Sequence, residues 1–208
     1  MSTTPVALPR KLNRRGLAAR EKLLSTAVEM LGTGRPESVS INLVAREAGL
    51  SWGSVQNLFN DSDGFWSAVV DLITDDKAAL WPPPQSDTIA GRITEVAELY
   101  RQVLASPYAV AIDTIRLGLP RPRPVLAQTH PLTAASLTRL EADWAQEFLN
   151  FFEDVREQAV DQERFMDVAW ALPIALHGLV AHQVNGASVD ADRVYRTLVV
   201  SMTTYLEG

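Results

Sequence analysis

The stretch from Ile41 to Phe59, INLVAREAGLSWGSVQNLF, constrains this chain more than any other. Ile41, Val44 and Ala48 recur at helical spacing, so one face of a short helix is apolar. Gly49 interrupts that helix, and Ser51 stands where a hydroxyl caps a second one. The second helix, Trp52 to Phe59, turns Val55, Leu58 and Phe59 toward the same core. Two short helices joined by a tight turn form a helix-turn-helix, whose second helix is held away from its domain. Trp52, Ser54, Gln56 and Asn57 fall between the apolar positions and are placed to project into a DNA major groove.

Each of these side chains has a chemical role that fits. Gln56 and Asn57 can form bidentate pairs with adenine N6 and N7, worth about 1 to 3 kcal/mol of base discrimination, although either can also meet phosphate or solvent. Trp52 can rest on sugar or on a thymine methyl, or act as a hydrophobic staple for the turn. Ser40 and Asn42 open the first helix of the pair and reach toward backbone phosphate, while Ser40 is also in position to cap that helix.

Charge is divided along the chain in a way that suits this reading. The net charge is −6, but residues 1–60 carry eight Lys or Arg against four Glu, whereas residues 61–208 carry eleven against twenty-one acids. A basic head on an acidic body touches phosphate at one end only. Residues 1–15 read as a flexible arm in which Arg10, Lys11, Arg14 and Arg15 cluster, either as a solvated tail or as phosphate contacts ordered on DNA.

The flanking periodicity completes a small domain. Leu24, Ala27, Val28 and Leu31 line one face of a helix beginning near Gly16, and Gly32 to Pro36 end it. A helix from 63 to 80 follows the helix-turn-helix, with Phe65, Val69 and Leu72 seating it on the first three.

These features together resemble the DNA-binding domain of the tetracycline-repressor (TetR) family of bacterial regulators. The resemblance covers residues 20–72: the Leu24 to Leu31 face, LVAREAGLS from Leu43, Gly53 and Ser54, Phe59, and the apolar positions of FWSAV from Phe65. It implies DNA contacts from Ser51, Gly53 and Ser54 beside those above. The chain departs from the family at Gln56, where a tyrosine is usual, at Leu58, and at Ser62, where a basic residue is common. Asp61 and Asp63 flank Ser62, and carboxylates close to phosphate repel it.

Beyond residue 80 the three prolines of WPPPQSD break the helical pattern and mark a boundary. The expected division is therefore a basic arm over 1–15, a DNA-binding domain over 16–62 and a helical body over 63–208, with helix 63–80 joining the two. The body reads as a helix from Ile89 to Val103, a short one from Ala109 to Leu117, a loop over 118–124, and a long helix from Thr133 to Val155. Asp161 is placed to cap the next helix, which reaches Val184, and a last helix runs from Ala191 to Leu206. About nine helices and an all-α fold result.

Two of those helices have more apolar surface than one core can cover. Leu172, Leu176, Leu179 and Val180 on one, with Val194, Leu198 and Met202 on the other, are candidates for a four-helix homodimer interface, which the family resemblance also implies. In regulators of that family a ligand among the body helices moves the two heads. Trp81, Tyr100, Trp144, Phe148, Met166 and Trp170 are candidates to line such a pocket for a small apolar or aromatic effector, and each also reads as ordinary core.

No catalytic constellation is present: there is no G-x-S-x-G, no Gly-rich phosphate loop and no H-E-x-x-H. His177 and His182 are five apart and point to different sides of a helix, and Glu153, Glu157 and Asp161 read as a solvated face, so neither metal nor cofactor is expected. The absence of cysteine fits a reducing cytoplasm. The run from Val168 to Ala181 is shorter than the ~20 residues of a membrane span. The expectation is a cytoplasmic homodimer that binds a palindromic DNA operator, represses transcription and is released by a small molecule. The rival is a helical ligand-binding or interaction protein whose DNA grip is weakened or lost, motivated by Ser62 and its two aspartates.

Overall fold

Asn13 starts the first helix, its side-chain oxygen accepting the Gly16 N–H at 2.9 Å. The computed structural model describes residues 12–76, 81–184, 186 and 188–208, and among them there are ten α-helices. The fold is all-α, as the sequence predicts. Because Asn13 caps α1 (Arg14–Leu31), Arg14 and Arg15 occupy its first turn, while Arg10 and Lys11 lie outside the described residues.

The next three helices, α2 (Ile41–Glu47), α3 (Trp52–Phe59) and α4 (Ser62–Asp76), close on α1. Gly49 turns the chain between α2 and α3 with φ +68°, a conformation that glycine adopts without a Cβ penalty. Ser51 then caps α3, its hydroxyl accepting the Ser54 N–H at 3.3 Å. Ser40 occupies the corresponding position before α2 and makes no side-chain capping bond. At the α3–α4 corner the backbones cross closely: a Cβ on Gly64 would lie 2.1 Å from the Phe59 carbonyl oxygen. The core of this head contains Leu23, Leu31, Val44, Val55, Phe65 and Val69, all fully buried. Each contributes on the order of 1.5 to 3 kcal/mol through removal from water.

Six helices follow: α5 (Ile89–Leu104), α6 (Pro107–Gly118), α7 (Arg123–Thr129), α8 (Pro131–Phe151), α9 (Gln162–Val184) and α10 (Ala191–Glu207). The body is not a separate unit hung on the head. Ala111, Ile112 and Ile115 of α6, with Leu137 and Leu140 of α8, belong to the same apolar core as α1–α4. A second core lies farther along, where Ile93 and Val96 of α5 meet Phe148, Phe152, Phe165 and Leu172. Helix α8 runs through both.

Asp63 fastens that crossing. The residue is 8 % exposed, and its carboxylate accepts the N–H groups of Leu132 and Thr133, each at 2.8 Å, and the Thr133 hydroxyl at 2.7 Å. It therefore caps α8, whose own N-cap residue, His130, makes no capping bond. Asp61 caps α4 in a similar way, accepting the Gly64 N–H at 2.9 Å. The carboxylates that the sequence suggests would repel phosphate are engaged in helix capping, and Asp63 is turned inside.

Other expectations are corrected by the fold. Leu72 is 38 % exposed rather than seated on the first three helices. The segment 118–124 is not all loop: Pro122 and Pro124 suit a helix start, and α7 begins at Arg123. Asp161 caps α9 as predicted, accepting the Arg164 N–H at 2.7 Å. Residues 77–80, assigned to the connecting helix from sequence, lie outside the described residues. Helix α9 is long and apolar enough to cross a bilayer by length and composition, contrary to the shorter run counted in the sequence.

Candidate functional site

In α3 the apolar and polar sides separate cleanly. Val55 and Phe59 are buried against the head, while Gln56 and Asn57 are exposed and Trp52 keeps 38 % of its surface in solvent. Gly53 is open, the nearest side-chain atom to a built Cβ being the Ser51 hydroxyl at 3.7 Å. The Ser51 and Ser54 hydroxyls lie 3.2 Å apart, so both are engaged at the helix start. Asn42 on α2 is exposed and Ser40 half-buried. All of these sequence-chosen residues are thus exposed or half-buried, none of them fully inside the head.

Arg14 and Arg15 are exposed in the first turn of α1, which contains no acidic residue. Cations at a helix N-terminus oppose its dipole by a few tenths to about 1 kcal/mol, so their position is unfavourable for the isolated helix. Arg20 is held differently, with its guanidinium 5.5 Å from the Phe59 ring centroid.

The aromatic residues chosen as pocket candidates divide into three groups. Trp81 packs against Trp144 and Phe151 with ring centroids 5.3 and 5.6 Å apart, and Tyr100 lies 5.5 Å from Trp144. This nest is filled, and the Trp81 Nε1–H is buried in it with no hydrogen-bond partner among the described residues. Phe148 and Met166 join the second core. Trp170 is 69 % exposed, on the surface of α9. Four of the six are thus core or surface rather than lining.

A cavity of about 200 Å³ does exist, on the other side of Tyr100 and Trp144. Ile73 of α4, Ile112 of α6 and Leu140 of α8 form its inner wall, so it lies where the two cores meet. Charged residues gather at one side: His177 Nε2 is 3.3 Å from Asp113, and Arg116 is 2.9 Å from Glu141. Hydrogen bonding to Asp113 raises the His177 pKa above the usual histidine value against an opposing desolvation effect. Arg123 also reaches Glu141, at 2.6 Å. None of these charged residues was selected from the sequence, since they come from four helices and share no local pattern.

The proposed dimer residues also divide. Leu172 and Leu176 are 0 and 2 % exposed and face the chain's own core. Leu179, Val180, Val194, Leu198 and Met202 are half-buried, and Leu198 and Met202 pack on the second core. The outward apolar surface of α9 and α10 is instead built by Trp170, Ile174 and Val200, at 69, 70 and 63 % exposure. Comparison with protein-family models and with curated proteins finds no match.

Proposed function

We propose that this chain is a DNA-binding transcriptional regulator of the tetracycline-repressor type, a repressor that binds a palindromic operator as a cytoplasmic homodimer and is released by a small ligand. The observation that carries the reading is α3: Gln56, Asn57 and Trp52 stand outside while Val55 and Phe59 anchor the helix from beneath. Arg14 and Arg15 support it, since their unfavourable helix-start position is relieved beside phosphate. Asp63 supports it too, because a carboxylate buried under α8 is removed from the phosphate side and no longer argues for a lost grip.

The partner proposed for the outward face of α9 and α10 is a second copy of the chain. Trp170 and Ile174, one turn apart on α9, and Val200 on α10 are large exposed apolar side chains, and covering them favours association. Two recognition helices set about 34 to 36 Å apart then enter successive major grooves. The cavity sits one layer from the head, with Ile73 of α4 in its wall and the Thr114 hydroxyl of α6 shared between the Val110 carbonyl of its own helix at 2.7 Å and the Leu31 carbonyl of α1 at 3.1 Å. A ligand that displaces α4 or α6 tilts the head and changes the spacing.

Selection from a pool of random duplexes tests the reading. It predicts recovery of an inverted repeat with half-site centres about one helical turn apart. Recovery of no sequence above background would overturn it.

A further inference from the structure

We propose that the cavity between α4, α6 and α8 takes a monocarboxylic acid with a compact aromatic or apolar body, the carboxylate meeting Arg116 and His177 at the mouth. The proposal rests on the ligand-responsive reading above and adds the chemical class of the ligand.

The body of the ligand follows from the inner wall. Ile73, Ile112 and Leu140 offer hydrocarbon, and Tyr100, Tyr108 and Trp144 offer ring faces. A cavity of about 150 Å³ admits benzene, so the 200 Å³ here holds a benzene ring with a short chain.

The charge of the ligand follows from which mouth groups are already engaged. Glu141 accepts from two guanidinium groups, one oxygen bonded to Arg116 at 2.9 Å and the other to Arg123 at 2.6 Å. Asp113 faces His177 at 3.3 Å. Three of the four carboxylate oxygens are therefore engaged. The donors are in surplus: among the described residues the Arg116 side chain makes its hydrogen bond through Nη2 alone, and a guanidinium has five N–H groups. Among the lining charges Arg116 and a protonated His177 balance Asp113 and Glu141, and Arg123, outside the lining, adds one positive charge through Glu141. A carboxylate offsets that excess, an ammonium group adds to it, and a neutral amide leaves it unmatched.

Proton uptake accompanies the binding. Asp113 already favours the charged form of His177, Arg116 opposes it, and an added carboxylate strengthens the first effect. Acid binding should consequently weaken as pH rises through the raised His177 value, above about 6.5, while amide binding should not.

Calorimetry on the full chain with 3-phenylpropionate, 3-phenylpropanamide and 3-phenylpropylamine tests the inference. The acid should bind at least about tenfold more tightly than the amide, and the amine most weakly. Arg116→Gln should remove the gap between acid and amide, and His177→Gln should remove the pH dependence. Equal binding of acid and amide, tightest binding of the amine, or no binding of any probe at about 1 mM would overturn it. A duplex mobility shift on the same preparation separates the two readings. Acid binding without duplex retention leaves this inference standing and removes the regulator, whereas duplex retention without acid binding does the reverse.

Discussion

Gln56 and Arg14 are both exposed, but their removal should have different consequences. Gln56→Ala should cost about 1 to 3 kcal/mol at one base position and leave binding to scrambled duplex unchanged. Arg14→Ala should weaken binding to all sequences alike and flatten the salt dependence by about one unit of slope. Titration of matched and scrambled duplexes separates these outcomes, and equal losses on both for Gln56→Ala would defeat the base-contact role. Asp63 acts on stability instead. Replacing it with Ala leaves two N–H groups and a hydroxyl without their buried acceptor, so Asp63→Ala should lower unfolding free energy by about 2 to 3 kcal/mol in urea titration. His177 adds a pH effect. Its folded pKa is raised, so its contribution is complete below the unfolded value near 6.5 and is lost as pH rises through the higher folded value. Stability of the wild type should therefore fall relative to His177→Gln above about pH 6.5, as read from denaturation midpoints across the pH range.

At the scale of elements, the α3–α4 corner sets the angle of α3. Because a Cβ on Gly64 would meet the Phe59 carbonyl oxygen at 2.1 Å, Gly64→Ala should force the corner open and destabilise the head by about 2 kcal/mol or more. Thermal unfolding monitored by circular dichroism reads that loss. This corner also shows what a sequence carries and what it does not. Helix α3 is legible to the residue because Ser51, Val55 and Phe59 lie within one short segment and follow one period. Its neighbour's carboxylate was misread because Asp63 and Leu132 meet across 69 positions, a pairing with no local trace. Helix α9 was ambiguous for another reason. A helix apolar on most sides does not reveal which side is inside, and Leu172 and Leu176 turned inward while Trp170 and Ile174 turned out. The cavity was displaced from its expected aromatic lining because an internal space depends on how side chains from α4, α6 and α8 fail to fill it, and the predicted nest of Trp81, Trp144 and Phe151 closes on itself.

In the whole molecule, head and body share one apolar core through α6 and α8, so a disturbance at the cavity has a short path to α1 and α4. The proposed function further requires a second copy. Ile174→Asp places a charge on the outward face of α9 without touching the chain's own core, and should shift sedimentation from dimer to monomer and abolish cooperative duplex binding. The most direct test of the account is the salt dependence of duplex retention by the purified wild-type chain. A phosphate-contacting dimer should retain duplex at low salt and lose it with a log–log slope of about −4 or steeper. No retention at low salt, or retention indifferent to salt, would contradict the account.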